Sequence, residues 1–205
     1  MATGTRTDRH ATTTGGRTGV RRSCVVALLA AIAAVGAGAA ESQPASVTVH
    51  ADGGVYRVAA SFVTAQSSAV AHDVLTDYEA IPRFMPDVRS SRIVERRAAS
   101  IVVEQEAVAR VLFFSRRIHL LLEVHAEPGR IRFRDHCGQS FTRYEGVWTL
   151  SEREGHAVVT YELLARPAFD VPEFLLTRLL KRDADRMIGR LQTEIAARAA
   201  GAPRR

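Results

Sequence analysis

Alternation of apolar and polar positions dominates the second half of the chain. Ile118, Leu120, Leu122 and Val124 share one parity, against His119, Leu121 and Glu123 on the other. Ile131 and Phe133 alternate with Arg130, Arg132 and Arg134; Tyr144, Gly146, Trp148 and Leu150 oppose Arg143 and Glu145; Val159, Tyr161 and Leu163 oppose Thr160 and Glu162. A period of two marks strands with one covered face and one wet face, as in an antiparallel sheet. Breaks at Ala98-Ala99-Ser100, Pro128-Gly129, Cys137-Gly138 and Glu154-Gly155 predict strands near 88–96, 99–113, 116–126, 130–137, 141–151 and 156–166. A shorter β-prone run, VYRVAASFV, follows Gly53, and residues 41–52 read as a polar spacer.

Two segments carry the helical period instead. Gln66-Ser67-Ser68 supplies helix-start chemistry before AVAHDVLTDYEAI, where Ala69/Val70, Val74 and Ala80/Ile81 keep helical spacing; Pro82 and Pro86 are expected to end it. Near the C-terminus Leu176, Leu180, Ala184, Met187, Leu191 and Ile195 advance by four, four, three, four and four. That is one apolar stripe on a long amphipathic helix. Asp170-Val-Pro-Glu173 resembles a capping box ahead of it, with Pro172 in the first turn. Strands in a run followed by a long helix indicate an α+β fold. The expected architecture is a helix grip, a curved antiparallel sheet of about six to seven strands wrapped on the C-terminal helix. A bent sheet cannot touch a straight helix along its whole length, so a gap is left for a ligand.

The N-terminus is of a different kind. Residues 1–22 are rich in Thr, Gly and Arg; Arg21-Arg22 then precede the uncharged run CVVALLAAIAAVGAGAA over 24–40. A basic region, a short apolar region and a small-residue site at Ala37-Gly38-Ala39 are the parts of a secretory signal peptide. The reading is a leader over 1–40, a domain over 53–198, a basic tail over 199–205, and an exported, periplasmic or secreted protein. The alternative is a membrane anchor retained through 24–40, although that run is short for spanning a core of about 30 Å. Sec and twin-arginine export both remain open. Most of the formal charge of +6 belongs to the leader: beyond residue 40 there are 23 basic and 21 acidic residues. With no basic stripe interleaved with aromatics, nucleic-acid binding is excluded as a reading. A transient membrane-surface contact through 89–97 or the tail is left open. Cys137 is the one cysteine after the leader, so no internal disulfide and no zinc spacing follow.

The stretches LTDYEAIPRFMPDVRSSRIV (75–94), VEQEAVARVLFFSRRIHLLLEV (103–124), FTRYEGVWTL (141–150) and VPEFLLTRLLKRD (171–183), in that order and spacing, resemble the START-like superfamily of polyketide cyclases and dehydrases. Within it the resemblance is to the coenzyme Q-binding branch. The resemblance implies a helix-grip fold with a deep apolar cavity. It also implies lipid-like, quinone or polycyclic ligands, more often carried than chemically changed. It further implies that the turn after the first helices lies at the cavity mouth, where Pro82 and Pro86 would hold Phe84 and Met85 over the opening.

Catalytic constellations are absent from the sequence. His50, His72, His119, His125, His136 and His156 share no motif with a Ser or Cys nucleophile, and there is no G-x-S-x-G, H-E-x-x-H or glycine-rich phosphate loop. Parity puts His119 with Glu123 on the wet face, and Glu104, Glu106 and Arg110 on a solvated face of cross-strand ion pairs. Neither a metal nor a cofactor is indicated. The candidate ligand-binding residues are Phe84, Met85, Gln105, Phe113, Leu120, Phe133, Tyr144, Trp148, Tyr161, Leu180 and Met187. A mostly apolar set with a few polar handles describes a small-molecule site. The reading is a non-catalytic carrier of a hydrophobic small molecule. The alternative is a cyclase or dehydratase acting in the same cavity, with Tyr144 and Tyr161, or Glu104 if it faces inward, as acid–base groups.

Overall fold

The structure, a computed structural model, describes residues 45–111 and 114–201. The leader and the 24–40 segment, the candidate Phe113, and all of the tail beyond Gly201 lie outside the described residues. The elements run β1 (Ser46–Asp52), β2 (Val55–Thr64), α1 (Ser68–Thr76), a 3₁₀ turn (Tyr78–Ala80), α2 (Ile81–Phe84), β3 (Val88–Arg96), β4 (Ile101–Val111), β5 (Phe114–Glu127), β6 (Arg130–Asp135), β7 (Phe141–Arg153), β8 (His156–Pro167) and α3 (Glu173–Ala199). Among the described residues the strands form one antiparallel sheet of eight in the order β1-β2-β8-β7-β6-β5-β4-β3. The fold is α+β, with a curved antiparallel sheet and a long C-terminal helix.

The eighth strand corrects the expected count of six to seven. It comes from residues read as spacer: Ser46–Asp52 pairs with β2 from Ser46↔Ser61 to Asp52↔Val55. Gly53 and Gly54 close this hairpin with φ of 56° and 78°. Two consecutive left-handed residues are what a two-residue hairpin turn requires, and glycine adopts them without a Cβ penalty. The first helical region also differs. Ser67 does cap α1, its hydroxyl accepting from the Val70 amide at 3.4 Å, but the helix stops at Thr76 and gives way to a 3₁₀ turn. Pro82 then sits in the first turn of α2 rather than ending a helix, because a missing N–H costs nothing there. Pro86 follows the end of α2. At α3 no side chain caps the helix: Pro172 is its N-cap residue and Glu173 its first residue, so the expected capping box does not form.

α3 packs its apolar stripe into the concave face of the sheet. Leu176, Leu179, Ala184, Ile188, Leu191 and Ile195 are buried; the last four join Val58, Phe62, Val103, Val124, Ile131 and Val159 in one core. Near the start of α3, Leu176 and Leu179 close over Tyr56 on β2 in a smaller cluster. The sheet bends to do this. Register shifts between Val88 and Ser90 and between Ile93 and Glu95 mark irregularities in β3, and another falls between Phe141 and Arg143 in β7. Such bulges increase the local twist and turn a strand's edge inward. No helix among the described residues is long and apolar enough to cross a membrane.

Candidate functional site

Between the concave face and α3 lies a cavity of about 370 Å³, within the range of roughly 300–1,000 Å³ for small-molecule sites. Its sheet wall is built by the inward parity read from the sequence. Gln105, Ala107 and Ala109 come from β4, Ile118, Leu120, Leu122 and Val124 from β5, Ile131 and Phe133 from β6, Tyr144 and Trp148 from β7, and Tyr161 and Leu163 from β8. Leu180, Ala184, Met187 and Leu191 of α3 form the opposite wall, and Phe84 and Met85 border the cavity at the end of α2. Ten candidate residues therefore meet around one space: Phe84, Met85, Gln105, Leu120, Phe133, Tyr144, Trp148, Tyr161, Leu180 and Met187.

One side of the cavity is aromatic. Ring centroids step from Phe169 to Phe141 (6.4 Å), Tyr144 (4.8 Å), Phe133 (5.9 Å), Tyr161 (6.3 Å) and Trp148 (4.3 Å), mostly in tilted arrangements that suit the ring quadrupoles. Gly146 makes room for this lane. A Cβ there would run into the Phe133 ring and the Glu162 carbonyl oxygen.

The polar groups on the wall are few and mostly satisfied. Gln105 donates through Nε2 to the Ser91 hydroxyl at 3.1 Å. Tyr144 and Tyr161 are neighbours on the wall in an apolar setting, each acting on the other's phenol. Burial is the main cause pushing both phenols up; the neighbouring phenol offsets part of this for Tyr144 and adds to it for Tyr161, which lies well above the ordinary phenol range. Both are therefore neutral at physiological pH. Tyr78 is the exception: its side chain lines the cavity, yet its buried hydroxyl has no hydrogen-bond partner among the described residues.

The cavity reaches the surface where exposed residues enter its lining: Pro86 after α2, Arg116 on β5, and Arg186 and Arg190 on α3. Three elements meet at this mouth. Arg190 donates to the Phe84 carbonyl at 3.3 Å, Arg182 to the Arg110 carbonyl at 3.2 Å, and Arg110 pairs with Asp87 at 2.6 Å. Arg116 lies over the Phe169 ring, 3.8 Å from its centroid. Asp183 borders the same opening, and partial burial raises its carboxyl against the opposing pull of Arg182 and Arg186.

Glu104 is not in the cavity. It sits on the other face, hydrogen-bonded to His119 Nε2 at 3.0 Å and to Arg92 Nε at 2.6 Å. The hydrogen bond to His119, then that to Arg92, holds its carboxyl below the usual range. Cys137 is half-buried and free; burial chiefly pushes its thiol up, away from nucleophilic use. Among the described residues no group of three or more His, Cys, Asp or Glu is placed to hold a metal.

Sequence reasoning missed Phe141, Phe169, Tyr78 and the arginine rim. Extrapolating alternation from Tyr144 puts Phe141 outside, but the register shift between Phe141 and Arg143 brings it in. Phe169 lies in the irregular connection from β8 to α3, where no periodicity can flag it. Tyr78 begins a 3₁₀ turn, off any helical stripe. No pattern in the sequence would have placed the rim arginines.

The comparisons with known proteins agree with this geometry. The family model described as polyketide cyclase/dehydrase and lipid transport matches residues 65–192, and the chain belongs to that family. A search of curated protein sequences returns no match. Among solved structures, a START superfamily protein from Mycobacterium smegmatis is similar with a TM-score of 0.58 at 16% identity, over 68% of this chain and 97% of that one. A STAR-related lipid transfer protein from Xanthomonas axonopodis reaches 0.58 at 19% identity, over 75% and 94%. The Zhui aromatase/cyclase from Streptomyces sp. R1128 reaches 0.59 at 15% identity, over 71% and 96%. At these identities the likeness is one of fold.

Proposed function

We propose that this chain is a non-catalytic carrier of a hydrophobic small molecule, lipid or quinone-like, working outside the cytoplasm. The observation that carries the reading is the cavity itself: of small-molecule size and mostly apolar, with few polar groups on its inner wall, Gln105 and the neutral phenols of Tyr78, Tyr144 and Tyr161, and its charged groups at the mouth. Moving apolar ligand surface out of water into such a space is worth about 25 cal/mol per Å², and no bond needs to change. The structural likeness to a lipid transfer protein supports the same reading. The leader of residues 1–40, with its basic start and apolar run, supports the location.

A second reading, a cyclase or dehydratase, has one observation in its favour: the paired phenols of Tyr144 and Tyr161 inside the cavity. A phenol raised above its ordinary value gives up its proton less readily, which weakens it as an acid near neutral pH. Two experiments separate the readings. Native mass spectrometry of the chain purified from an exporting host, with organic extraction, is expected to find a stoichiometric lipid or quinone adduct. Tyr144→Phe and Tyr161→Phe are expected to keep that ligand capacity within about fivefold, since one neutral hydrogen bond contributes only ~1 kcal/mol. Turnover of an aromatic polyketide chain by the parent, abolished in both variants, would sink the carrier reading.

A further inference from the structure

Tyr78 has a ring that borders the cavity and a hydroxyl that the fold leaves orphaned. The residue is 8% exposed, and its hydroxyl is shielded from water without a partner among the described residues. Such a group costs stability that a phenylalanine would not. The rest of the wall does not repeat the pattern: neither Tyr144 nor Tyr161 has a sealed hydroxyl without a partner, and Gln105 has Ser91.

We infer that Tyr78 is a recognition residue whose hydroxyl donates to an uncharged carbonyl oxygen of the bound ligand. The inference rests on the carrier reading and narrows its ligand to hydrophobic molecules bearing a ketone or quinone-type oxygen. The chemistry around Tyr78 selects against a charged head group. Burial alone pushes its phenol up to about 12, with no charged neighbour contributing. A carboxylate or phosphate brought to this position would lie in apolar surroundings without a counter-ion, at a cost of several kcal/mol. The cations that could balance such a group, Arg116, Arg186 and Arg190, stand at the mouth instead. A carbonyl oxygen needs only one donor, and a neutral phenol that keeps its proton supplies it. Since the hydroxyl is closed off from water, a ligand reaches it only by parting the side chains around it. Tyr78 lies immediately before α2, whose end carries Phe84 and Met85 at the cavity mouth.

The test uses 9-fluorenone and its parent hydrocarbon fluorene, measured by equilibrium dialysis against the full chain and its Tyr78→Phe variant. The ring is kept, so the cavity wall is preserved. The variant is expected to bind fluorenone about tenfold more weakly, the size of one buried hydrogen bond, and fluorene as before. The ligand-free variant is expected to melt at a higher temperature, because an unpaired hydroxyl has been removed. Equal changes for both probes, or no change for fluorenone, would overturn the inference and leave the carrier reading standing. A lower melting temperature would show that the hydroxyl already has a partner, and would overturn it too. If the parent chain binds neither probe, the carrier reading falls and the inference with it.

Discussion

Gly146 shows how one missing side chain shapes the site. It lies on the inward parity of β7, opposite Phe133 on β6 and Leu163 on β8. The Phe133 ring occupies the space a side chain would need, and the Glu162 carbonyl closes the rest. Gly146→Ala is therefore expected to destabilise the domain by about 1–3 kcal/mol through overpacking, seen as a lower urea midpoint with an unchanged slope. Adding Phe133→Leu should not restore the midpoint, because the Glu162 carbonyl is backbone held in the β7–β8 ladder and cannot move aside. Full recovery in the double variant would mean the ring alone imposes the glycine. Glu104 makes a complementary point at the same scale. Its partners Arg92 and His119 lie across neighbouring strands on the outer face, so a carboxylate that looks available for acid–base work in the sequence is engaged by an ion pair with Arg92 and a hydrogen bond with His119.

At the scale of elements, α3 has two jobs on adjacent columns. Ile188 is fully buried against the sheet, whereas Leu180 and Met187 are half-buried and face the cavity. Ile188→Ala is expected to cost about 2–5 kcal/mol, the range for emptying a packed site. Met187→Ala should cost nearer 1 kcal/mol, since its side chain already borders open volume and has fewer partner atoms to lose. Thermal melts of the two variants check the order, and comparable losses would mean the cavity is filled by packing. This division bears on what the sequence could reveal. The spacing of Leu176, Leu180, Ala184, Met187, Leu191 and Ile195 locates the helix and its inward side, but spacing alone cannot say which inward residues touch sheet and which touch empty space. Strand parity did better, because a pleat has only two faces: it placed Gln105, Leu120, Phe133, Tyr144, Trp148 and Tyr161 on the concave side. It failed where the ladder is irregular, at Phe141, and where burial is slight, at Ser46–Asp52, an edge strand whose burial pattern keeps only Val47 fully inside. The Gly53-Gly54 pair was the available signal for that hairpin.

At the scale of the whole domain, the wall and the mouth come from different parts of the chain and should control different quantities. The wall is set chiefly by β4 to β8 and α3, and its apolar area fixes how tightly a ligand is held. The mouth is closed by polar contacts between segments far apart in sequence, Arg190 to the Phe84 carbonyl and Arg182 to the Arg110 carbonyl. Both contacts are exposed, and contacts of that kind contribute little to global stability. The Arg190 contact ties the end of α2 to α3, so it must break before those two can part and widen the mouth. Arg190→Ala is accordingly expected to leave the urea midpoint nearly unchanged while raising the association and dissociation rates of 9-fluorenone severalfold together. The two effects cancel in the ratio, so Kd should stay within about twofold, a difference of ~0.4 kcal/mol. Stopped-flow emission of Trp148, the chain's one tryptophan and part of the cavity wall, follows both rates. A variant whose association rate is unchanged while its dissociation rate, and with it Kd, rises would place Arg190 in the binding wall and move the point of entry elsewhere on the cavity.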